Sequence, residues 1–96
     1  MKQIQKFKLT FTDAAQSIAM PAEIDPKTGE TLSAPLLRGH LILDNPFVWA
    51  LVDPTAATVA RFFVVIADGK PVPDGAQFVD ACEYQEFSWN IFETAS

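Results

Sequence analysis

The sequence predicts an all-β fold, a small antiparallel β-sandwich or barrel of about seven or eight short strands with at most one short helical turn. Three observations carry this. Seven prolines, at 21, 26, 35, 46, 54, 71 and 73, cut the chain into pieces too short for long helices. Apolar residues recur with a period of two or in short runs rich in Val, Ile, Phe and Trp, and not at the i, i+3, i+4, i+7 spacing of an amphipathic helix. Turn-forming Asp, Asn, Pro and Gly punctuate those runs.

The elements follow in order. From Gln3 to Phe11, Phe7, Leu9 and Phe11 point one way and Lys6, Lys8 and Thr10 the other, as in a half-buried strand. Thr12 to Ala15 is a turn, and Gln16 to Met20 a second strand ended by Pro21. Ile24 to Thr31 reads as a hairpin tip: Pro26 presets a turn φ, Asp25 accepts a backbone hydrogen bond and Gly29 takes the left-handed position. Strands are expected at Leu36–Leu43 and Phe47–Val52, with Asp44-Asn45-Pro46 as the turn between them. Thr55 to Ala60 is the place for one helical turn. Arg61–Ala67 is a β-branched and aromatic strand closed by Asp68-Gly69. Pro71 to Gly75 is loop, and Phe78–Tyr84 with Phe87–Phe92 forms a last hairpin around Gln85-Glu86.

Two runs, Phe47–Val52 and Phe62–Ile66, are apolar on both faces. A strand of a small antiparallel sheet normally meets water on one face. Both runs therefore require cover on two sides, from a second sheet and from a loop, a short helix or another subunit. A homo-oligomer is the expectation. Trp49 and Trp89 alternate with apolar neighbours and are expected in the core or an interface, an exposed stacking platform being the alternative. Trp49→Ala is then expected to cost about 3–5 kcal/mol.

With 96 residues the chain has room for one domain, residues 1–96. Its apolar share of 49% and charged share of 20% are those of an ordinary globular protein. The net charge of -5 argues against direct nucleic-acid or anionic-membrane binding, which depends on Lys and Arg density. The charge is uneven. Lys2, Lys6 and Lys8 lie on the first segment, while only Asp and Glu follow Lys70. No apolar run approaches the length of a membrane span, and no apolar h-region follows Met1. A cytoplasmic protein is the expectation.

The single cysteine, Cys82, forms no intrachain disulfide. One His and one Cys do not fill a Cys/His metal site, no carboxylate-rich loop of the calcium type is present, and the glycines form no phosphate-binding fingerprint. Neither metal nor cofactor is expected. A Cys82–His40 nucleophile pair is conceivable, but a strand cysteine is more often a buried inert thiol. Asp44, Asp53, Asp68 and Asp74 each precede Asn, Pro or Gly, which turn formation explains without acid–base chemistry. No catalytic residue is expected.

The segment Trp49-Ala50-Leu51-Val52-Asp53-Pro54, with Met20-Pro21 upstream, Ile91-Phe92-Glu93 near the end and a Lys-rich opening strand, resembles a family of short phage and prophage proteins of unknown function. The resemblance implies a phage origin and a small β fold, and supplies no catalytic residues. Phage accessory proteins of this size often act by binding, and by that analogy the expected role is a non-enzymatic inhibitor of a host antiviral defence complex, acting in the host cytoplasm. Its contact surfaces are then the hairpin tip, with Asp25, Lys27 and Thr28, and the acidic C-terminal third, with Asp80, Glu83 and Glu86. Two alternatives stand beside it. One is an oligomeric sponge for a small anionic signalling ligand, using Lys27, Arg38, His40 or Arg61 at a subunit interface; the other is a minor virion or assembly component.

Overall fold

A computed structural model describes residues 1–95. Among these residues nine strands follow one another: β1 (Gln3–Lys8), β2 (Gln16–Pro21), β3 (Glu23–Ile24), β4 (Thr31–Leu32), β5 (Leu36–Ile42), β6 (Asn45–Val52), β7 (Thr58–Ala67), β8 (Gln77–Tyr84) and β9 (Phe87–Thr94). All pair antiparallel. One sheet has the order β1-β6-β5, a second β2-β7-β9-β8, and β3-β4 is a short ribbon. The sheets stack as a sandwich, as the alternation predicts.

The core lies between the sheets. Val48, Ala50 and Val52 of β6 pack with Phe63 and Val65 of β7 and Ile91 of β9, and Leu9, Met20 and Ala34 complete the cluster. Small and β-branched residues suit two closely facing sheets. The first strand is shorter than expected, because the chain leaves the first sheet after Lys8 and crosses to the second. Leu9 N–H donates to Pro46 O at 2.8 Å, and Val65 N–H reaches Thr12 O at 3.0 Å. Gln16 closes the crossover: its Oε1 accepts Thr10 N–H and its Nε2 donates to Thr10 O, both at 2.9 Å.

The Asp25–Gly29 tip forms as expected. Asp25 Oδ1 accepts Lys27 N–H, Asp25 O accepts Gly29 N–H, and Gly29 has a φ of 73°. The helical turn expected at Thr55–Ala60 is absent. Asp53 Oδ1 instead accepts both the N–H and the hydroxyl of Thr55, at 3.0 and 2.7 Å, and β7 begins at Thr58. A side chain that binds the backbone two residues on competes with helix formation. The Thr55 hydroxyl and N–H also hold the Asp53 carboxyl below the usual carboxylate range.

The β5–β6 turn falls one residue early. Leu43 and Asp44 take the positive φ values, 47° and 68°, and Asn45 and Pro46 already belong to β6. Leu43 is 90% exposed. A left-handed conformation costs a residue with a Cβ about 1–2 kcal/mol, and tight hairpins of this hand favour Asn-Gly. Leu43→Asn combined with Asp44→Gly should therefore raise stability by about 1 kcal/mol, read as a higher denaturation midpoint. An unchanged or lower midpoint would show that the turn carries no such strain.

Bulges interrupt β5 between Leu36 and Arg38 and β8 between Phe78 and Asp80. These two edge strands meet at one corner of the sandwich, where Gly39 N–H donates to Asp80 Oδ2 at 2.9 Å. Asp80 Oδ1 accepts its neighbour Ala81 N–H. The carboxylate thus takes the place of a missing strand acceptor. A Cβ on Gly39 would lie 2.7 Å from Ile91 Cδ1 and 3.2 Å from Asp80 Cβ, so any larger residue there displaces the Ile91 side chain or the corner itself.

Within one chain, neighbouring strands cover part of the outer face of β6. Its outward residues Phe47 and Trp49 are half-buried, with Lys6 of β1 5.2 Å from the Phe47 ring centre and Arg38 of β5 4.7 Å from that of Trp49. Long cationic side chains of the neighbouring strands supply that roof. On β7, Val64 and Ile66 are buried beside their cross-strand partners Phe92 and Asn90. Trp89 faces the interior against Phe11, with ring centres 5.0 Å apart, as expected. Trp49 does not; it belongs to the outward face of the first sheet.

Candidate binding face

The strand register builds this face. Lys6 pairs with Trp49, and Trp49 with Arg38; two residues along, Lys8 pairs with Phe47, and Phe47 with His40. Paired residues of an antiparallel sheet share a face. The outcome is two parallel rows, each with an aromatic ring between two basic side chains. Their spacing along the strand is about 6.8 Å. The Phe47 and Trp49 rings lie 6.1 Å apart, tilted by 47°. Lys6, Lys8, Arg38 and His40 are all exposed.

Basic side chains dominate this face, and Glu83 meets it only at the groove it shares with His40. The face holds three of the seven Lys and Arg residues and the single His. The outward positions paired across β1, β6 and β5 include no carboxylate. Among the described residues the only salt bridges are Lys2 with Glu23 and Arg61 with Glu93. The remaining two cations, Lys27 and Lys70, lie on exposed turns.

Arg38 and His40 lie two residues apart on this face. Arg61 is not available to an anionic ligand. Its side chain is 6% exposed, its Nε and Nη2 grip the two Glu93 oxygens at 2.6 and 2.7 Å, and Nη1 donates to Ala34 O at 2.7 Å. Its place on the inward side of β7 gives it a structural duty. At the tip, Lys27 is exposed, while the Asp25 carboxylate and the Thr28 hydroxyl accept backbone N–H groups of the turn itself. Glu83 and Glu86 are exposed on β8 and in the turn that follows it. Asp80 closes the corner.

His40 and Cys82 line one groove at the β5–β8 corner, with Ala81, Glu83 and Ser88. Burial and the Asp80 carboxylate push the Cys82 thiol above its ordinary pKa, the opposite of what an activated nucleophile needs. Native protein at mildly alkaline pH should react with a disulfide reagent far more slowly than unfolded protein. Equal rates would show an accessible, activated thiol.

Lys6, Lys8 and Phe47 were not expected at a site, and for Trp49 a stacking platform was the alternative to packing in the core or an interface. Their signal is in the sequence: Lys6-Phe7-Lys8, Arg38-Gly39-His40 and Phe47-Val48-Trp49 each place two like side chains at i and i+2. Only the register shows that the three pairs coincide.

The chain belongs to the family described as Domain of unknown function (DUF7352), which matches residues 1–96. No curated protein and no solved structure matches it.

Proposed function

We propose that this is a non-enzymatic binding protein that holds an anionic partner on the outward face of the β1-β6-β5 sheet. The observation that carries the reading is the pair of rows Lys6–Trp49–Arg38 and Lys8–Phe47–His40, free of carboxylates. Basic groups clustered on one face create a local positive field whatever the total charge, and that field steers an anionic partner to it. In the phage setting that the sequence resemblance implies, the partner belongs to the host, and the protein acts by occupying it. A second reading, docking of a basic host protein, is favoured by the exposed Glu83 and Glu86 on β8 and the turn that follows it. Self-association belongs with either reading, since Phe78 stays 59% exposed against Phe92 on the outer side of the second sheet.

Affinity capture from infected host cells tests the readings, with proteins, nucleic acids and small molecules all identified by mass spectrometry. Wild type is compared with Lys6→Glu/Arg38→Glu and with Glu83→Lys/Glu86→Lys. The expected result is an anionic partner retained by the second variant, lost by the first and eluted by salt. A basic partner lost only by Glu83→Lys/Glu86→Lys would establish the second reading instead.

A further inference from the structure

We infer that the partner on this face is single-stranded nucleic acid, with bases stacked at Trp49 and Phe47 and phosphates held by Lys6, Lys8, Arg38 and His40. The inference rests on the reading that this face is the working surface. Single strands are bound where aromatic rings offer stacking platforms and cations track the backbone, and each row supplies both. In the free protein Arg38 lies over the Trp49 ring and Lys6 over that of Phe47; a bound strand draws both cations to its phosphates and uncovers the rings for its bases.

The shape selects among anionic partners. A small nucleotide is normally held in a concave pocket that buries most of its surface. Of the clefts at the β3–β4 ribbon, at the β5–β8 corner and beside Trp89, the corner cleft touches the rows through His40, and none of the three includes Phe47 or Trp49. An open sheet face suits a polymer laid across it. A duplex keeps its bases stacked on one another and offers the rings nothing to stack on. An acidic polypeptide would satisfy the cations and leave both rings unused. The total charge of -5, which by composition argues against nucleic acid, here restricts the contact to one face and to a few phosphates.

The test uses Trp89→Phe, which leaves Trp49 as the one indole reporter of the two tryptophans. It is titrated at low salt with an oligothymidylate of about ten nucleotides, the matching duplex, inorganic polyphosphate and poly-glutamate. The expected result is quenching of Trp49 by the single strand, with duplex binding at least tenfold weaker. With three strong cations engaged, log K should fall against log salt with a slope of about −2. Trp49→Leu, followed by anisotropy of a labelled strand, should weaken binding about tenfold. Lys6→Glu/Arg38→Glu should abolish it, with an unchanged circular dichroism spectrum as the check on folding. If Trp89→Phe does not fold, the wild-type quench minus that of Trp49→Phe gives the same reading.

Equal binding of polyphosphate and the single strand would overturn the inference and leave the anion-binding face standing. Preferential binding of poly-glutamate would replace nucleic acid by an acidic protein. No binding of the single strand at low salt would also overturn the inference. If capture from infected cells were in addition indifferent to Lys6→Glu/Arg38→Glu, the proposed function itself would fall.

Discussion

Glu93→Ala should destabilise the protein by about 3 kcal/mol, measured as a fall in the denaturation midpoint at constant slope. Glu93 and Arg61 are 23% and 6% exposed, and the pair is bidentate. Removing the carboxylate leaves a buried guanidinium with Ala34 O as its remaining oxygen acceptor. Breaking such a pair costs about 3–5 kcal/mol, and the water that reaches Glu93 places the effect at the lower end. Replacing both partners, Arg61→Met with Glu93→Leu, should recover most of the loss, because the penalty comes from the stranded charge. If the double variant is no more stable than Glu93→Ala, the pair itself contributes the stability. The guanidinium also fastens residue 34, just ahead of β5, to β7. The single variant should therefore raise amide exchange at Leu51, whose N–H donates to Pro35 O.

Phe63→Ala should cost about 3–5 kcal/mol, against about 1 kcal/mol for Trp49→Ala. Phe63 is fully buried between the sheets and touches both through the core cluster. Its truncation leaves a cavity that Val48, Val65 and Ile91 cannot fill without moving the sheets. For a domain whose whole stability is about 5–15 kcal/mol, that loss leaves much of the protein unfolded at modest temperature. Trp49 lies on the outer face under Arg38, so its loss exposes little core. The pattern alone points to a large cost at Trp49; the structure reverses the order. Parallel urea titrations of the two variants decide the matter. A larger loss for Trp49→Ala would mean that the outer face is covered in solution, as by a second copy of the chain.

The reason for that reversal is specific. In Phe47–Val52 both alternating sets are apolar, so the period of two separates the sets without saying which faces inward. Val48, Ala50 and Val52 are compact enough to lie against the second sheet. The larger Phe47 and Trp49 rings fit outside, where an indole tolerates a partly wet surface. The same ambiguity in Phe62–Ile66 is resolved by Arg61 and Glu93. These pair on the inward side of β7 and β9 and fix the face of every second residue along both strands.

By itself the sequence determined the all-β class, the approximate place of each long strand, and the turns at Asp25–Gly29, Asp68-Gly69 and Gln85-Glu86. These depend on neighbours one to four residues away: alternation, β-branching, and residues that accept a turn's φ. The tertiary structure alone decided that Lys6, Trp49 and Arg38 form one row, that Arg61 reaches Ala34 and Glu93 at separations of 27 and 32 residues, and that Gly39 meets Asp80. Each of these depends on register, and register is set by long-range pairing together with burial of one face. A slip of one residue between β1 and β6 would leave every strand in place and still send Lys6 and Lys8 to the opposite face from Trp49 and Phe47.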